Sequence, residues 1–462
     1  MLPFHKMLER AFTGPVCSEH DFDMKILIPN LRKVVKKYDI KYDRTQPVPA
    51  DDGLADRVWQ AGLEFLEETG LFCPDTERRI LFTRKEIDAA LAVGPRGKVV
   101  GASHDARTIP RRFPEDKTPP FCSVGGVSVP MSTDANFISV VRAIGQNPLA
   151  DAVANPSMTH VDGQMIVAAS PLEVEGAIRG MIMAREGLRR AGRPDLAIVN
   201  ACPAAAKAAG HIAGHRFGIG KGDALEIGTT AEMRIDFDSL NKIAFSLSTG
   251  SLVFGENGVI LGGLAGGPEG TAVLMATYNP VDILVLRACC QHPFPTHFDL
   301  RTTSTRDTIW ARSLGNQAVS RNSIMPLVNV GYCGAGPNTK MAFYESAAWP
   351  LATVVSGGSV EVTALGRGVS VDHTGPLEPL FSTQVCHAVV GMSRKEANGI
   401  VVKLLEKYED SLRDPPLGTR YQDCCDVDSS TPNKEYLDLY WEMCQEMEEA
   451  FGLHLPKVCP YS

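Results

Sequence analysis

Glu256 is the residue whose position in this sequence points most directly to chemistry. It follows the short apolar run 251–255, so its carboxylate would be partly removed from water. A carboxylate in that setting needs either a structural partner or a cationic ligand. We therefore predict that Glu256 lies at a site that can hold a positive charge.

Other polar side chains follow further short apolar runs. In a barrel of parallel strands the functional face lies where the strand ends feed the following loops. Each such residue, taken alone, is more often structural than catalytic. The candidates chosen in this way are Asn155, His160, Asp162, Asn200, Asp299, Arg301 and Tyr332.

Two histidines with helical spacing form a possible metal site. His211-x-x-x-His215 places two imidazoles on one helical face, as metal ligands would be. No Glu directly follows the first His, and the nearest further ligand is distant in sequence, so ordinary surface or capping histidines are the simpler interpretation. The nearby Gly218-x-Gly220-x-Gly222 follows no predicted strand and lacks the dinucleotide-binding pattern.

A regular alternation of short and long segments would position these residues. Short apolar runs ending in Gly, Asn or Pro alternate with longer segments of helical period, which is typical of repeated βα units. Seven visible units plus one undetected unit favour an α/β fold of the (β/α)₈ TIM-barrel type. The predicted strands are 121–126, 151–156, 196–201, 251–256, 282–287, 326–331 and 359–365.

The segments between these runs have the features of crossing helices. In 172–191 an apolar stripe has acidic residues in the first turn, basic residues in the last and Gly192 just beyond. Each helix is long enough to cross back over a parallel sheet. The further predicted helices are 236–247, 269–279, 305–320, 339–354 and 377–391.

The two ends of the chain flank the predicted barrel. Residues 1–120 are expected to form a helical N-terminal extension, with a helix over 51–69 and a capping box Thr83-x-x-Glu86. Residues 121–392 would form the catalytic barrel. Residues 393–462 would form helices packed on it, one opened by Ser393-x-x-Glu396 and one beginning at Thr431-Pro432.

Composition excludes several classes of partner and location. The 462 residues carry 46 Lys and Arg against 54 Asp and Glu, a net charge of −8, which is the wrong sign for general nucleic-acid binding. No apolar run of signal-peptide length begins the chain, and the most apolar region, 258–287, is interrupted by Gly, Pro and Glu. We therefore expect no membrane segment. With 12 cysteines and no C-x-x-C, we expect reduced thiols in a cytoplasmic protein.

Several short motifs are spread in order over nearly the whole chain. They are residues 71–76 (LFCPDT), 191–194 (AGRP), 232–236 (EMRID), 256–258 (ENG) with 262–267 (GGLAGG), 303–308 (TSTRDT), 335–337 (AGP), and 421–424 (YQDC) through 431–432 (TP). Together these motifs are far more specific than any one of them, and they resemble the monomethylamine methyltransferases of methanogenic archaea.

The resemblance implies an activity and a set of site residues. Those enzymes are oligomeric (β/α)₈ barrels that pass a methyl group to the cobalt of a separate corrinoid-carrying protein, so a cobalamin on a partner protein and a closed homo-oligomer are expected. The family's two cavity carboxylates fall on Glu226 and Glu256, which become the predicted catalytic residues, and its cavity tyrosine falls on Tyr332.

Two departures from the family change the expected substrate. The archaeal enzymes carry pyrrolysine in the segment that here reads 198–203, where Asn200 and Ala201 become candidate substrate contacts, and the sequence contains no pyrrolysine. The family's cavity glutamine falls on Val330. A quaternary ammonium leaves as a neutral amine and requires no acid, so a quaternary methylated amine or a related small compound becomes the predicted methyl donor.

A quaternary cation calls for carboxylate charge and aromatic faces, because it cannot donate hydrogen bonds. Glu226, Glu256, Tyr332 and Phe254 would supply them, and alignment of the donor with the corrinoid would lower the barrier. An ether or secondary amine would instead require one protonated carboxylate.

Two alternatives to this function stay open from the sequence. In one, methyl transfer uses a metal as the Lewis acid, with His211 and His215 as its ligands. In the other, the chain is a non-catalytic barrel that binds a corrinoid protein or a small ligand. Two buried carboxylates argue against the second, because an idle site has no need to hold them.

Overall fold

Eight parallel strands form a closed barrel in the computed structural model, which describes residues 2–126, 129–199, 207–363 and 370–461. Five strands pair in the order β3-β2-β1-β8-β7 and three in the order β4-β5-β6. A parallel bridge from Gln291 to Leu327 joins β6 to β7, and β3 lies beside β4, so the two runs close. The strands are β1 (Cys122–Gly125), β2 (Ala152–Ala154), β3 (Ala197–Val199), β4 (Ala224–Thr229), β5 (Leu252–Leu261), β6 (Cys290–His297), β7 (Val328–Gly331) and β8 (Ser359–Thr363).

A helix follows each strand and covers the outside of the barrel. This eightfold alternation confirms the predicted (β/α)₈ fold. The helices are α1 (Asp134–Gly145), α2 (Pro171–Arg190), α3 (Ala208–Gly218), α4 (Phe237–Thr249), α5 (Pro268–Val281), α6 (Arg306–Asn322), α7 (Lys340–Val355) and α8 (Leu377–Ala388).

Local sequence signals explain where these helices begin and end. Helix α4 begins after Asp236, whose side chain accepts a hydrogen bond from the Ser239 backbone, and ends at Gly250 with φ 74°. Helix α2 has Pro171 in its first turn and Arg189 and Arg190 in its last, as the sequence predicts.

The strand predicted over 282–287 is wrong. The apolar run there continues α5 as a helical segment, Asp282–Leu286, which ends at Arg287 with φ 58°. The strand of this unit is β6, which the sequence pattern did not predict because two prolines inside it lower its strand propensity. The undetected eighth strand is β4, which carries Glu226.

The N-terminal 120 residues form helices and two small hairpins against the barrel. The helix predicted over 51–69 and the capping box at Thr83 and Glu86 are both confirmed. The helices are Phe4–Thr13, Glu19–Asp21, the π-helix Phe22–Leu27, Ile28–Lys37, Asp52–Thr69, Arg84–Ala92 and the 3₁₀ turn Ser103–Asp105; the hairpins pair Leu71–Cys73 with Arg78–Ile80 and Val99–Val100 with Arg107–Thr108.

The C-terminal helices pack on the barrel near α7 and α8. Ser393 caps Arg394–Glu406 as predicted, but the last helix, Lys434–Phe451, is capped by Asn433. Thr431–Pro432 instead pairs as a short strand with Cys425–Asp426, so the predicted start at Thr431 is wrong. The other short elements are Glu409–Ser411, Tyr421–Cys424, and the pairs Pro130–Met131 with Ser157–Met158 and His160–Val161 with Gln164–Met165.

Across the described residues, every helix is too short or too polar to cross a membrane.

Candidate active site

The inner face of the barrel is identified by the alternation of side chains along β5. A Cβ on Gly255 would lie 2.6 Å from Cγ of Asp282, which lies outside the barrel. The Asn257 amide also points outward, since its Nδ2 donates to Asp282 Oδ1 at 3.1 Å. Because successive side chains of a strand point to opposite faces, Phe254, Glu256 and Gly258 face the interior.

The same alternation places side chains of β7 inside the barrel. A Cβ on Gly331 would lie 2.5 Å from the Trp349 ring of α7, so position 331 faces outward. Val330 and the next residue after the strand, Tyr332, therefore face inward. Val330 pairs in register with Glu361 of β8.

Three inward side chains from different strands meet in the interior and form what we call the buried cluster: Glu226 of β4, His292 of β6 and Glu361 of β8. Nε2 of His292 lies 3.2 Å from Oε1 of Glu226 and 3.7 Å from Oε1 of Glu361. The side chain of Glu226 is 4% exposed, and those of His292 and Glu361 are 0% exposed. Two acids and an imidazole thus share one dry region of the barrel.

Neighbouring groups fix the orientation of the buried cluster. Nδ1 of His292 lies 2.7 Å from the carbonyl oxygen of Val328, to which it donates its hydrogen. The Phe254 ring packs edge-on against the imidazole, with 5.4 Å between ring centroids. Ser123 Oγ donates to Glu361 Oε2 at 2.9 Å. These contacts leave the Nε2 side of the imidazole directed toward the two carboxylates.

Burial and mutual charge shift the protonation of this region. Burial raises the pKa of Glu226 well above its usual range, and the carboxylate of Glu361 raises it further. Burial also raises the pKa of Glu256. Burial alone would lower the pKa of His292, but the carboxylates of Glu361 and Glu226 outweigh it and raise the pKa well above its ordinary value. The region therefore holds three acidic side chains and one imidazole, so acidic groups outnumber the groups that can carry a positive charge.

A second group of inward residues, which we call the accessible wall, consists of Glu256, Phe294 and Tyr332. All three are partly exposed. The Phe294 ring occupies space above Gly258, since a Cβ there would lie 2.9 Å from Cζ of the ring. The Tyr332 hydroxyl is paired with Thr296 Oγ1 at 2.7 Å. The wall thus offers one carboxylate and two aromatic rings to a small molecule.

Comparison with known proteins identifies the relatives of this barrel. The family model described as monomethylamine methyltransferase MtmB matches residues 2–453. The chain belongs to this family. The expected enzyme class, a methyltransferase, is thereby confirmed.

Individual MtmB proteins match along nearly the whole chain. MtmB2 of Methanosarcina acetivorans is 29% identical over 443 residues, which cover 96% of each chain, and MtmB1 of Methanosarcina barkeri is 28% identical over the same coverage. The crystal structure of Methanosarcina barkeri MtmB superposes with a TM-score of 0.94 at 27% identity and covers 97% of this chain and 98% of that one. A hydroxylamine complex of MtmB matches equally well.

The two carboxylates assigned from the MtmB resemblance lie in one region. Glu226 belongs to the buried cluster and Glu256 to the accessible wall. The charges of His292 and Glu361 affect the pKa of both carboxyls. Their catalytic roles stay predictions, as do the substrate contacts predicted for Tyr332, Val330 and Phe254.

The surroundings of the predicted substrate contacts differ. Phe254 is fully buried with its ring against His292, so it supports the cluster. Val330 is 7% exposed beside Glu361. Asn200 and Ala201 lie outside the described residues.

The structure describes most of the other polar residues selected at strand ends. Asn155 is buried, with its Nδ2 donating to the Pro156 carbonyl oxygen at 3.3 Å. Asp162 is exposed and accepts from Arg179 at 2.8 Å. The rest, His160, Asp299 and Arg301, are exposed.

His211 and His215 lie on α3, as their spacing predicts, but outside the barrel interior. Nε2 of His215 lies 2.7 Å from Ser251 Oγ, and its ring packs on Phe245. His211 is buried. Within the described part of the chain, the group with metal-ligand geometry is the buried cluster, and it includes neither histidine.

Three residues of the site were missed from the sequence, and the reason differs for each. His292 and Phe294 lie on β6, which was displaced by the wrong strand at 282–287. Glu361 lies in a correctly predicted strand but within it, whereas the selection considered strand ends. A search for charged residues inside predicted barrel strands would have found Glu361.

Proposed function

We propose that this enzyme binds a small methylated amine at the accessible wall and presents its methyl group to the corrinoid of a separate protein. The observation that carries the proposal is the placement of Glu256, whose inward-facing carboxylate on β5 is partly exposed, on the same wall as the partly exposed rings of Phe294 and Tyr332. A carboxylate and ring faces together suit an ammonium cation.

The corrinoid enters this proposal as a co-substrate carried by a partner protein. It supplies the nucleophile that accepts the methyl group. What the chain itself does is to bind the donor, hold its methyl group in line and exclude water. The partly exposed side chains of Ile260, Phe294 and Tyr332 fit this role, because they leave the wall reachable from the barrel mouth.

The finer proposal is that the donor is a quaternary ammonium compound. The Tyr332 hydroxyl is already paired with Thr296, and position 330 carries an apolar valine. The wall therefore holds charge and ring faces but few groups that would hydrogen-bond an N–H of a simple amine. Each cation–π contact would add about 0.5–2 kcal/mol.

Further parts of the proposal concern the assembly. We propose that the chain divides into a helical extension over 1–120, a catalytic barrel over 121–392 and a helical segment over 393–462. A closed homo-oligomer that docks the corrinoid protein at the barrel mouth is part of the same proposal.

A donor panel tests the proposed function. Purified enzyme is mixed with a corrinoid protein in the cob(I)alamin state and with quaternary amines, simple methylamines or methyl ethers, and corrinoid methylation is followed by its visible spectrum. We expect faster methylation with a quaternary amine than with monomethylamine. Methylation by no amine at all would contradict the proposal, and a preference for monomethylamine would contradict its finer part.

A further inference from the structure

We propose that the buried cluster of Glu226, His292 and Glu361 is a binding site for one zinc ion. Its three potential ligand atoms, two carboxylate oxygens and an imidazole nitrogen, all lie within 4.8 Å of one another. They come from three different barrel strands, so the rigid sheet brings them together rather than a loop.

The three potential ligand atoms contact only one another. Nε2 of His292, Oε1 of Glu226 and Oε1 of Glu361 are all buried, and beyond the ion-pair separations of 3.2 Å and 3.7 Å between them they make no hydrogen bond to the rest of the described protein. His292 and Glu361 are completely buried. Buried polar atoms that lack hydrogen bonds cost free energy, and one cation among three such atoms within 4.8 Å of one another would satisfy all of them.

The supporting contacts are those of a metal site. Nδ1 of His292 donates to the Val328 carbonyl oxygen, so the neutral imidazole would offer the lone pair of Nε2 to a metal that replaces the Nε2 proton, and metal-bound histidines commonly use their second nitrogen in this way. Ser123 holds the other oxygen of Glu361. The protein therefore already fixes the orientations of His292 and Glu361.

The distances and atom types select the class of metal. Bonds of about 2.0–2.1 Å in a tetrahedron place ligand atoms about 3.3 Å apart. The observed separations of 3.2 Å and 3.7 Å from His292 Nε2 need little adjustment. An imidazole with two carboxylates favours zinc over magnesium or calcium, which prefer more numerous oxygen ligands.

The metal would extend the proposed function, because it would determine which charge on the donor the site favours. Two carboxylates and one divalent cation sum to zero, which leaves Glu256 as the neighbouring carboxylate with a free negative charge. A singly charged ammonium donor would then neutralise the site. This role rests on the proposed function, whereas the metal site itself does not.

Metal binding can be measured without donor or corrinoid. The full-length protein is stripped with chelator, reloaded with zinc, desalted and analysed for metal content and for thermal unfolding, and a parallel sample is loaded with cobalt(II) to record its visible absorption. We expect close to one zinc per chain, a higher melting temperature with zinc, and cobalt bands typical of low coordination number.

The variant Glu361→Gln keeps the shape of the side chain and its contact with Ser123. We expect it to bind zinc at least tenfold more weakly and to lose the thermal shift. The matched control His215→Gln removes a histidine outside the cluster and should retain both. Substoichiometric zinc in the parent protein, or equal zinc binding by Glu361→Gln, would overturn the metal site while leaving the donor panel unaffected.

Discussion

At the scale of single residues, the defining feature of the barrel interior is a surplus of acidic groups. Glu226, Glu256 and Glu361 share a region with one imidazole, and burial raises the pKa of the first two carboxyls. Carboxylates that crowd together without cations destabilise one another. A site with this composition is suited to binding positive charge.

Glu232, just after β4, allows a separate electrostatic prediction. It is 1% exposed, and its Oε1 accepts a hydrogen bond from the Ile260 backbone at 2.7 Å. Burial raises the pKa of this carboxyl from 4.5 to about 7. Between these two values the folded chain binds more protons than the unfolded chain, so this group makes the free energy of unfolding fall as pH rises.

The variant Glu232→Gln keeps the acceptor for Ile260 but cannot ionise. Relative to the parent protein, its free energy of unfolding should increase between pH 5 and pH 8, by on the order of 2–3 kcal/mol in total. Urea unfolding of both proteins at several pH values measures this difference. The exposed control Glu442→Gln should show no such trend, and a constant difference for Glu232→Gln would refute the assignment.

At the scale of elements, each β-strand and the helix after it act as one positioning unit. Helix α4 follows the strand that carries Glu226 and is capped by Asp236. Replacing Asp236 by Ala leaves the Ser239 N–H without its acceptor and should cost about 1 kcal/mol of unfolding free energy. Asp236→Asn keeps the acceptor and should cost much less, so equal losses in denaturant unfolding of the two variants would count against the capping role.

The sequence predicted most elements because their local signals and their tertiary roles agree. Six of the seven predicted strands overlap barrel strands, and the long crossing helices were found from period, caps and end charges. The failure at 282–287 has a physical cause, since a fully buried apolar run has no polar face to reveal whether its period is helical or extended. The true strand, β6, carries Pro293 and Pro295, which lower strand propensity.

The candidate site was predicted less completely than the fold. Position at a predicted strand end was enough to select Glu256 and Tyr332, although β5 continues past Glu256 to Leu261, so the predicted strand end at 256 is wrong. The family resemblance supplied Glu226. The proximity of His292 and Glu361 to Glu226 depends on barrel closure, which brings β6 and β8 toward β4. Sequence spacing alone does not predict that these three residues meet.

At the scale of the whole molecule, the barrel matches MtmB almost from end to end, with a TM-score of 0.94 at only 27% identity. Architecture is therefore shared while most side chains differ. The acidic interior is where we expect those differences to set the donor, because the proposed donor cation and the proposed metal would both be held there.

In the proposed function, Glu256 holds the methyl donor for transfer to the corrinoid protein. The most direct measurement is the single-turnover rate of cob(I)alamin methylation by Glu256→Gln, with Glu442→Gln as a control for loss of a surface carboxylate and circular dichroism to verify folding. We predict a loss of at least about a hundredfold for Glu256→Gln and a parent-like rate for the control. A near-normal rate in folded Glu256→Gln would contradict the account.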